Sequence, residues 1–412
     1  MIKKFLPWII WGLGSLFFFA EYFVRVSTGV LSPLLMSEMN LSALVVGALS
    51  AFFYYAYIGM QVPVGVLVDR FGAKRLLVLT TFLFGLACLL FSFMHQIEWG
   101  YCYRFLMGFS GAFAFVGTLK LITIYFQPSQ FAMLAGITQG MGMLGAVIGE
   151  APMSYAFHHW GWRPSMFWIA FIFFICSVLF IFLVKEPAPS KAKVSSTLWQ
   201  DLKALSRVKA LWLNCLFIGL MYAPTTTFGE QWGSMFMSLD LKTSVTQGAF
   251  AVGFIFIGMA CGCPLVGFLS DRLGQRVGVM RWCSVACLAL IIFIVYQNRL
   301  GLSFSHATMY MLMFAYGIFN SAIVPSYALS SEVVQRKISG MALGITNMAS
   351  VIVGSIFIPV VGFMVDHVGA SFHHYAQLSV GDFQLAFILL PLCFVLCFIL
   401  TFFIQETHCR PL

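Results

Sequence analysis

The sequence predicts an all-α integral membrane protein, with twelve transmembrane helices arranged as two pseudo-symmetric six-helix bundles. Three observations lead there. The first is composition: 61% of the 412 residues are hydrophobic and only 9% are charged, against about 25% charged in soluble domains. Such a chain cannot cover its surface with polar groups and takes lipid as its solvent. The second is length of run. A spanning helix needs roughly 20 apolar residues, and twelve such runs occur, at 7–33, 43–68, 75–95, 99–125, 131–155, 164–185, 209–234, 245–270, 277–297, 304–330, 338–365 and 383–405. They are continuous and do not alternate, which favours helices over a barrel. The third is duplication. PVGVLVDRFGAKR at 63–75 recurs as PLVGFLSDRLGQR at 264–276, and GITQ at 136–139 recurs as GITN at 344–347. The two offsets nearly agree, as expected of a duplicated membrane unit.

The elements follow in order. Span 1 begins after Lys3 and Lys4 and resembles a signal peptide. Its run is too long, carries Glu21 and Arg25, and lacks a small-residue cleavage site, so it reads as a retained helix. Short loops keep most neighbouring spans antiparallel. Six spans lie before the polar stretch at 186–208 and six after it, giving an N-terminal bundle at 1–185, a linker at 186–208 and a C-terminal bundle at 209–412. Pro187 and Pro189 end span 6. Leu198, Leu202, Leu205 and Val208 keep a helical spacing that suggests a short interfacial helix. The last long loop, Asp366 to Asp382, holds His367, His373 and His374.

Charge sets orientation and excludes several function classes. With both termini in the cytoplasm, sixteen Lys and Arg residues fall on the cytoplasmic side, and only Arg163, Lys242 and Arg299 on the other. The positive-inside rule selects this topology. The formal net charge of +9 follows from it. Those basic residues are spread over several short loops, so no nucleic-acid partner is implied. Eleven cysteines, an odd number, lie mostly within apolar runs and read as buried small hydrophobes. Glu150, His158 and His159 have no convincing metal-ligand spacing. No metalloprotease helix, nucleophile elbow or phosphate-binding loop occurs, so neither an enzyme nor a cofactor is expected.

The duplicated G-x-x-x-D-R-x-G-x-K/R loops carry the clearest mechanics. Gly65 and Gly267 are expected to let the ends of spans 2 and 8 approach a neighbour. Asp69 and Asp271 suit the N-terminus of an adjacent helix, where the dipole favours an anion. Arg70, Arg75, Arg272 and Arg276 can pair with carboxylates on neighbouring helices, and Gly72 and Gly274 allow a tight turn. Together they read as a gating latch that is made in one state and broken in another; ordinary loop capping is the plainer reading.

These loops resemble the signature of the major facilitator superfamily. YRFLMGFSG at 103–111 is similar to that superfamily's R-x-x-x-G element in its fourth helix, with Arg104 and Gly108 matching. GITQGMGMLGAVIGEAP at 136–152 resembles its Gly-rich fifth helix, without the Gly-Pro pair usual in drug-proton antiporters. FFFAEYFVRVSTGVLSPLLM at 17–36, LKLITIYFQPSQFAMLAG at 119–136 and GITNMASVIVGSIFIPVVGFMVD at 344–366 look like the phagosomal nutrient transporters of intracellular bacteria. That resemblance implies a multi-pass protein of the bacterial inner membrane carrying amino acids, nucleosides or other small nutrients. It also implies that helices 1, 4, 7 and 10 line one central cavity.

Ionisable residues inside apolar spans are costly and are functional candidates by default. Glu21 and Arg25 stand four apart and can pair. Arg104 and Lys120, on span 4, lie roughly 160° apart around a straight helix and do not share a face. Tyr222, Thr226 and Glu230 form one polar stripe on span 7. Tyr316 and Asn320 on span 10 and Asn347 on span 11 complete the substrate-binding set, although lone amides and phenols are more often glue between helices than ligands. Arg25 and Lys120 are expected to hold a solute carboxylate, and Glu21 and Glu230 an amino group or a coupling proton. The expected activity is alternating-access uptake of an amino acid or small peptide by a monomer, with protons as the coupling ion. The alternatives are a siderophore or other polycarboxylate as solute, or a nutrient sensor that does not transport.

Overall fold

A computed structural model describes residues 2–127, 130–185, 197–335, 338–368 and 378–409. The described residues are helical nearly throughout. Eleven helices are long and apolar enough to cross a membrane, and Met133–Gly149 makes a shorter twelfth. The first half holds α1 (Ile2–Met39), α2 (Ala43–Phe71), α3 (Ala73–Ser92), α4 (Ile97–Tyr125), α5 (Phe131–Gly149), α6 (Ala151–Trp160) and α7 (Trp162–Leu183). The short α8 (Thr197–Ser206) stands where the sequence suggests an interfacial helix. The second half holds α9 (Lys209–Pro224), a π-helical segment (Thr225–Trp232), α10 (Gly233–Asp240), α11 (Val245–Leu273), α12 (Val277–Tyr296), α13 (His306–Asn320), α14 (Ile323–Glu332), α15 (Ser339–Val368), α16 (Val380–Ala386) and α17 (Leu389–Leu400). Pro187, Pro189, His373 and His374 lie outside the described residues, as do the side chains of Asp69 and Leu198.

Four expected spans are not single α-helices. Span 5 breaks at Glu150, span 7 widens at Thr225, span 10 breaks at Ser321 and Ala322, and span 12 breaks at Phe387 and Ile388. Each irregularity lies next to a proline: Pro152, Pro224, Pro325 and Pro391. A proline lacks the N–H that the carbonyl four residues earlier would accept, and its ring crowds that turn. Span 7 also runs on to Asp240, beyond the expected end at 234.

By its contacts the chain forms two compact units, residues 1–31 with 49–195, and residues 32–48 with 196–412. The core of the first unit includes Phe17, Phe84 and Phe173, with ring centroids 4.4 to 6.2 Å apart. Helices in lipid gain little from the hydrophobic effect and pack instead by close backbone approach at small residues. Gly108 of α4 lies so close to α2 that an added Cβ would sit 2.7 Å from the Phe53 carbonyl carbon. In the second unit Phe228, Phe236, Phe383 and Phe387 pack edge-to-face and tilted at 5.4 to 6.2 Å. Large apolar side chains such as Trp168, Phe182, Phe268 and Trp282 stay exposed on the helix surfaces, as a multi-pass membrane protein requires.

Candidate functional site

In the first unit the structure gathers three of the predicted ionisable residues. Glu21 and Arg25 pair across one turn of α1 at 3.8 Å, both buried. Glu21 also lies against Gly111 of α4, where a Cβ would come within 2.8 Å of its Cγ. Arg104 of α4 is 2% exposed. Its Nη1 approaches the Val24 carbonyl at 3.5 Å, and it interacts electrostatically with Glu21 and Arg25. The guanidinium faces are covered by rings. Arg25 lies 3.5 Å from the centre of Tyr22 and 5.8 Å from that of Tyr57, and Arg104 lies 4.8 Å from that of Phe53. With the faces so covered, the guanidinium edges are what remains to donate to an anion.

Lys120 does not join them. Gly111 lies level with Glu21, and Gly14 level with Thr118, so α1 and α4 run antiparallel in a fixed register. At 1.5 Å per residue this places Lys120 about 20 Å along the axis from Arg25. Lys120 is half-buried there. Depth against another helix is not written in the spacing along one helix, and Lys120 stands apart from the Arg25 and Arg104 guanidinium groups.

In the second unit the expected stripe is rearranged by the π-helical winding. The Gly233 N–H reaches back five residues to the Phe228 carbonyl. Pro224, the β-branched run Thr225 to Thr227, and Gly229 all disfavour regular α-winding here. Tyr222 then donates to Glu230 Oε1 at 2.8 Å, and Glu230 is buried, not at a wet mouth. Thr226 turns away and packs on Gly354 of α15. Thr225, which the sequence reading passed over, contacts the Tyr316 hydroxyl at 3.1 Å and donates to Asn320 at 2.9 Å. Asn320 donates to the Met221 carbonyl at 2.8 Å. Tyr316 and Asn320 therefore tie α13 to this helix. Asn347 belongs to another pair, accepting from Tyr327 at 2.7 Å.

The two loop copies differ. Gly72 and Gly274 have φ of 87° and 62°, a left-handed turn that glycine adopts without cost. In the second copy Arg276 is buried and binds Asp271 at 2.6 Å, Glu332 at 2.8 Å and Ser270 at 3.0 Å. Burial opposes its charge, but Glu332 and Asp271 hold the guanidinium above its ordinary value. Asp271 thus serves its own loop, and among the described residues no helix N-terminus donates to it. Glu406 caps a helix instead, accepting from the N–H groups of Arg276, Val277 and Gly278 at 2.8, 2.8 and 3.3 Å. Arg70, Arg75 and Arg272 are exposed. A Cβ at Gly267 would touch Val324 at 3.2 Å, whereas one at Gly65 meets nothing within 4 Å among the described residues. The close approach expected at Gly65 is therefore not made there.

Burial opposes ionisation of Glu406, yet its backbone donors, first that of Arg276, hold it below the usual carboxylate range. A depressed folded value contributes stability above the unfolded value, near 4.3, and loses it as pH falls through the folded one. Glu406→Gln is expected to lower the melting temperature at pH 7 and to flatten its decline below about pH 4.3. A cap of this kind contributes about 1 kcal/mol. Thermal unfolding across pH 3 to 7 measures it, and parallel curves for variant and wild type would refute the assignment.

Among the described residues no three of His, Cys, Asp and Glu converge as metal ligands. His159 instead stacks on Tyr155 at 3.8 Å.

A family model described as Major Facilitator Superfamily matches residues 13–295 and 231–411. The chain is 23% identical over 382 residues to the "Probable sulfoacetate transporter SauU" of Cupriavidus necator, covering 88% of each. It is 23% identical to the "Probable galactarate/D-glucarate transporter GudP" of Escherichia coli, covering 85% of each. It is 25% identical to the "Hexuronate transporter" of Bacillus subtilis, covering 85% of this chain and 86% of the relative. Among solved structures, a bacterial homologue of the lysosomal transporter Spinster superposes with a TM-score of 0.78 at 13% identity, covering 97% of both chains. The nucleoside transporter NupG does so at 0.74 and 16%, covering 96% of this chain and 99% of that one.

Proposed function

The chain belongs to the major facilitator superfamily and is a transporter of that family, and from that premise we propose that its solute is a small organic anion bearing carboxylate or sulfonate groups. The observation that carries this reading is that two arginines, Arg25 and Arg104, are buried together on α1 and α4 of the first unit. Cations in a spanning segment are costly, and an anionic solute offsets that cost. The names of the relatives point the same way, since sulfoacetate, galactarate, glucarate and the hexuronates are all acids. An amino acid or peptide is the weaker choice. Glu230, the intended partner of an amino group, already has the Tyr222 hydroxyl.

Glu21 is the proton carrier in this scheme. Without solute, Arg25 pairs with Glu21. A solute anion that takes Arg25 removes that partner, Glu21 gains a proton, and solute and proton move together. The Arg276, Asp271 and Glu332 network is the latch of the second loop. By the charge bias of the loops, both termini lie in the cytoplasm of a bacterial inner-membrane protein.

The test is uptake by proteoliposomes of sulfoacetate, D-glucarate and D-glucuronate beside L-alanine and L-leucine, with and without an imposed pH gradient. Saturable uptake of one or more acids, quickened by an acidic exterior, is expected. Glu21→Gln should remove the pH response, and Glu230→Gln should leave it. Uptake of the amino acids in preference to every acid would overturn the reading.

A further inference from the structure

Residues 32–48, the adjoining ends of α1 and α2 with the turn between them, are held by two other parts of the second unit. Gln231 of the π-helical segment donates to Ser32 Oγ at 2.8 Å. Asp366, in the last turn of α15, accepts from the N–H groups of Ala43 and Leu44 at 2.9 and 2.7 Å. Those are first-turn donors of α2, which no carbonyl of their own helix can satisfy, and the helix dipole favours a carboxylate there. Two glycines let the backbones meet. A Cβ at Gly362 would lie 2.8 Å from the Ala43 carbonyl carbon and 3.0 Å from Leu44 Cα. One at Gly47 would lie 3.0 Å from the Ile358 carbonyl oxygen and 3.2 Å from the Trp232 ring. Trp232 Nε1 in turn donates to that same Ile358 carbonyl at 3.0 Å.

These contacts can separate without unfolding anything. Each helix keeps its own hydrogen bonds, and the freed N–H groups and carboxylate pass to water. A carrier must expose its solute to each membrane face in turn, so tight junctions between helix ends have to part during the cycle. We propose that Asp366, Gly362, Gly47 and Gln231 form a releasable gate on residues 32–48. Gln231 and Trp232 share the π-helical segment with Glu230. A change of that winding toward α would shift all three relative to Tyr222, which ties the gate to the polar cluster beside it.

The test reads accessibility and needs no solute. A reporter cysteine, Ala43→Cys, is placed in a Cys102→Ser, Cys261→Ser background, which removes the two exposed cysteines. Reaction with a polar maleimide is followed in purified protein against the same background without the reporter. Loss of the helix cap in Asp366→Ala, and the methyl that Gly362→Ala drives against the α2 backbone, should each raise the labelling rate by about five- to tenfold. Asp366→Asn, which keeps the shape and one acceptor, should fall between. Asp382→Asn, affecting a carboxylate that caps its own helix α16, should leave the rate unchanged. Gln231→Ala should raise it if the π-helical segment holds the gate. Unchanged labelling in Asp366→Asn and Gly362→Ala, both monodisperse, overturns the gate, and unchanged labelling in Gln231→Ala overturns its link to that segment.

Discussion

Arg25→Gln and Arg104→Gln are each expected to weaken binding of a transported acid by about 10- to 150-fold, because a charge-assisted contact contributes roughly 1.5–3 kcal/mol. Lys120→Gln is expected to change it far less, since Lys120 stands well along α4 from both arginines. The double arginine variant should bind no more weakly than the stronger single one if a single anionic group spans both, and close to the product of the two if each arginine holds its own group. Arg104 also approaches the Val24 carbonyl, so its loss carries some packing cost, and Arg104→Lys separates charge from shape. Calorimetric titration of monodisperse protein with the best substrate of the uptake panel gives these affinities. Equal binding in wild type, Arg25→Gln and Arg104→Gln would show that the arginines only hold helices together.

Gly108→Ala is expected to cost about 1–3 kcal/mol or more of stability, the usual range for overpacking a close contact. The added methyl would overlap backbone of α2, which cannot give way as a flexible side-chain end can. Gly59→Ala is the companion control. It lies on α2, where a Cβ meets nothing within 4 Å among the described residues, and alanine is the better helix former by about 1 kcal/mol. Thermal unfolding in detergent should therefore drop for Gly108→Ala and hold or rise for Gly59→Ala. The same response in both would mean that the α2–α4 contact is looser than the structure has it.

The candidate site was half legible. Glu21, Arg25, Arg104 and Glu230 stand out because an ionisable side chain in an apolar run is conspicuous anywhere. The Glu21–Arg25 pair follows from spacing alone. That Arg104 and not Lys120 completes the cluster depends on the register of α1 against α4, and nothing local encodes register between helices. Tyr222 and Glu230 meet, but Thr226 leaves their stripe because the turn between them is π-wound. A proline does not mark a break by itself: Pro63, Pro264 and Pro359 sit within continuous helices, while Pro152, Pro325 and Pro391 follow breaks.

The sequence by itself determined that this chain is a bundle of membrane-spanning helices in two related halves. In lipid the backbone has no partner but itself, so a long apolar run has one regular solution. Duplication is likewise written in the order of residues. Tertiary structure alone decided which charges meet, that Asp271 holds the arginine of its own loop, and how Asp366 comes to hold the start of α2 from more than 300 residues away. Those outcomes depend on helix depth, rotation and winding, and these are set by packing against other helices, glycine against backbone, which the spacing of residues along one helix does not specify.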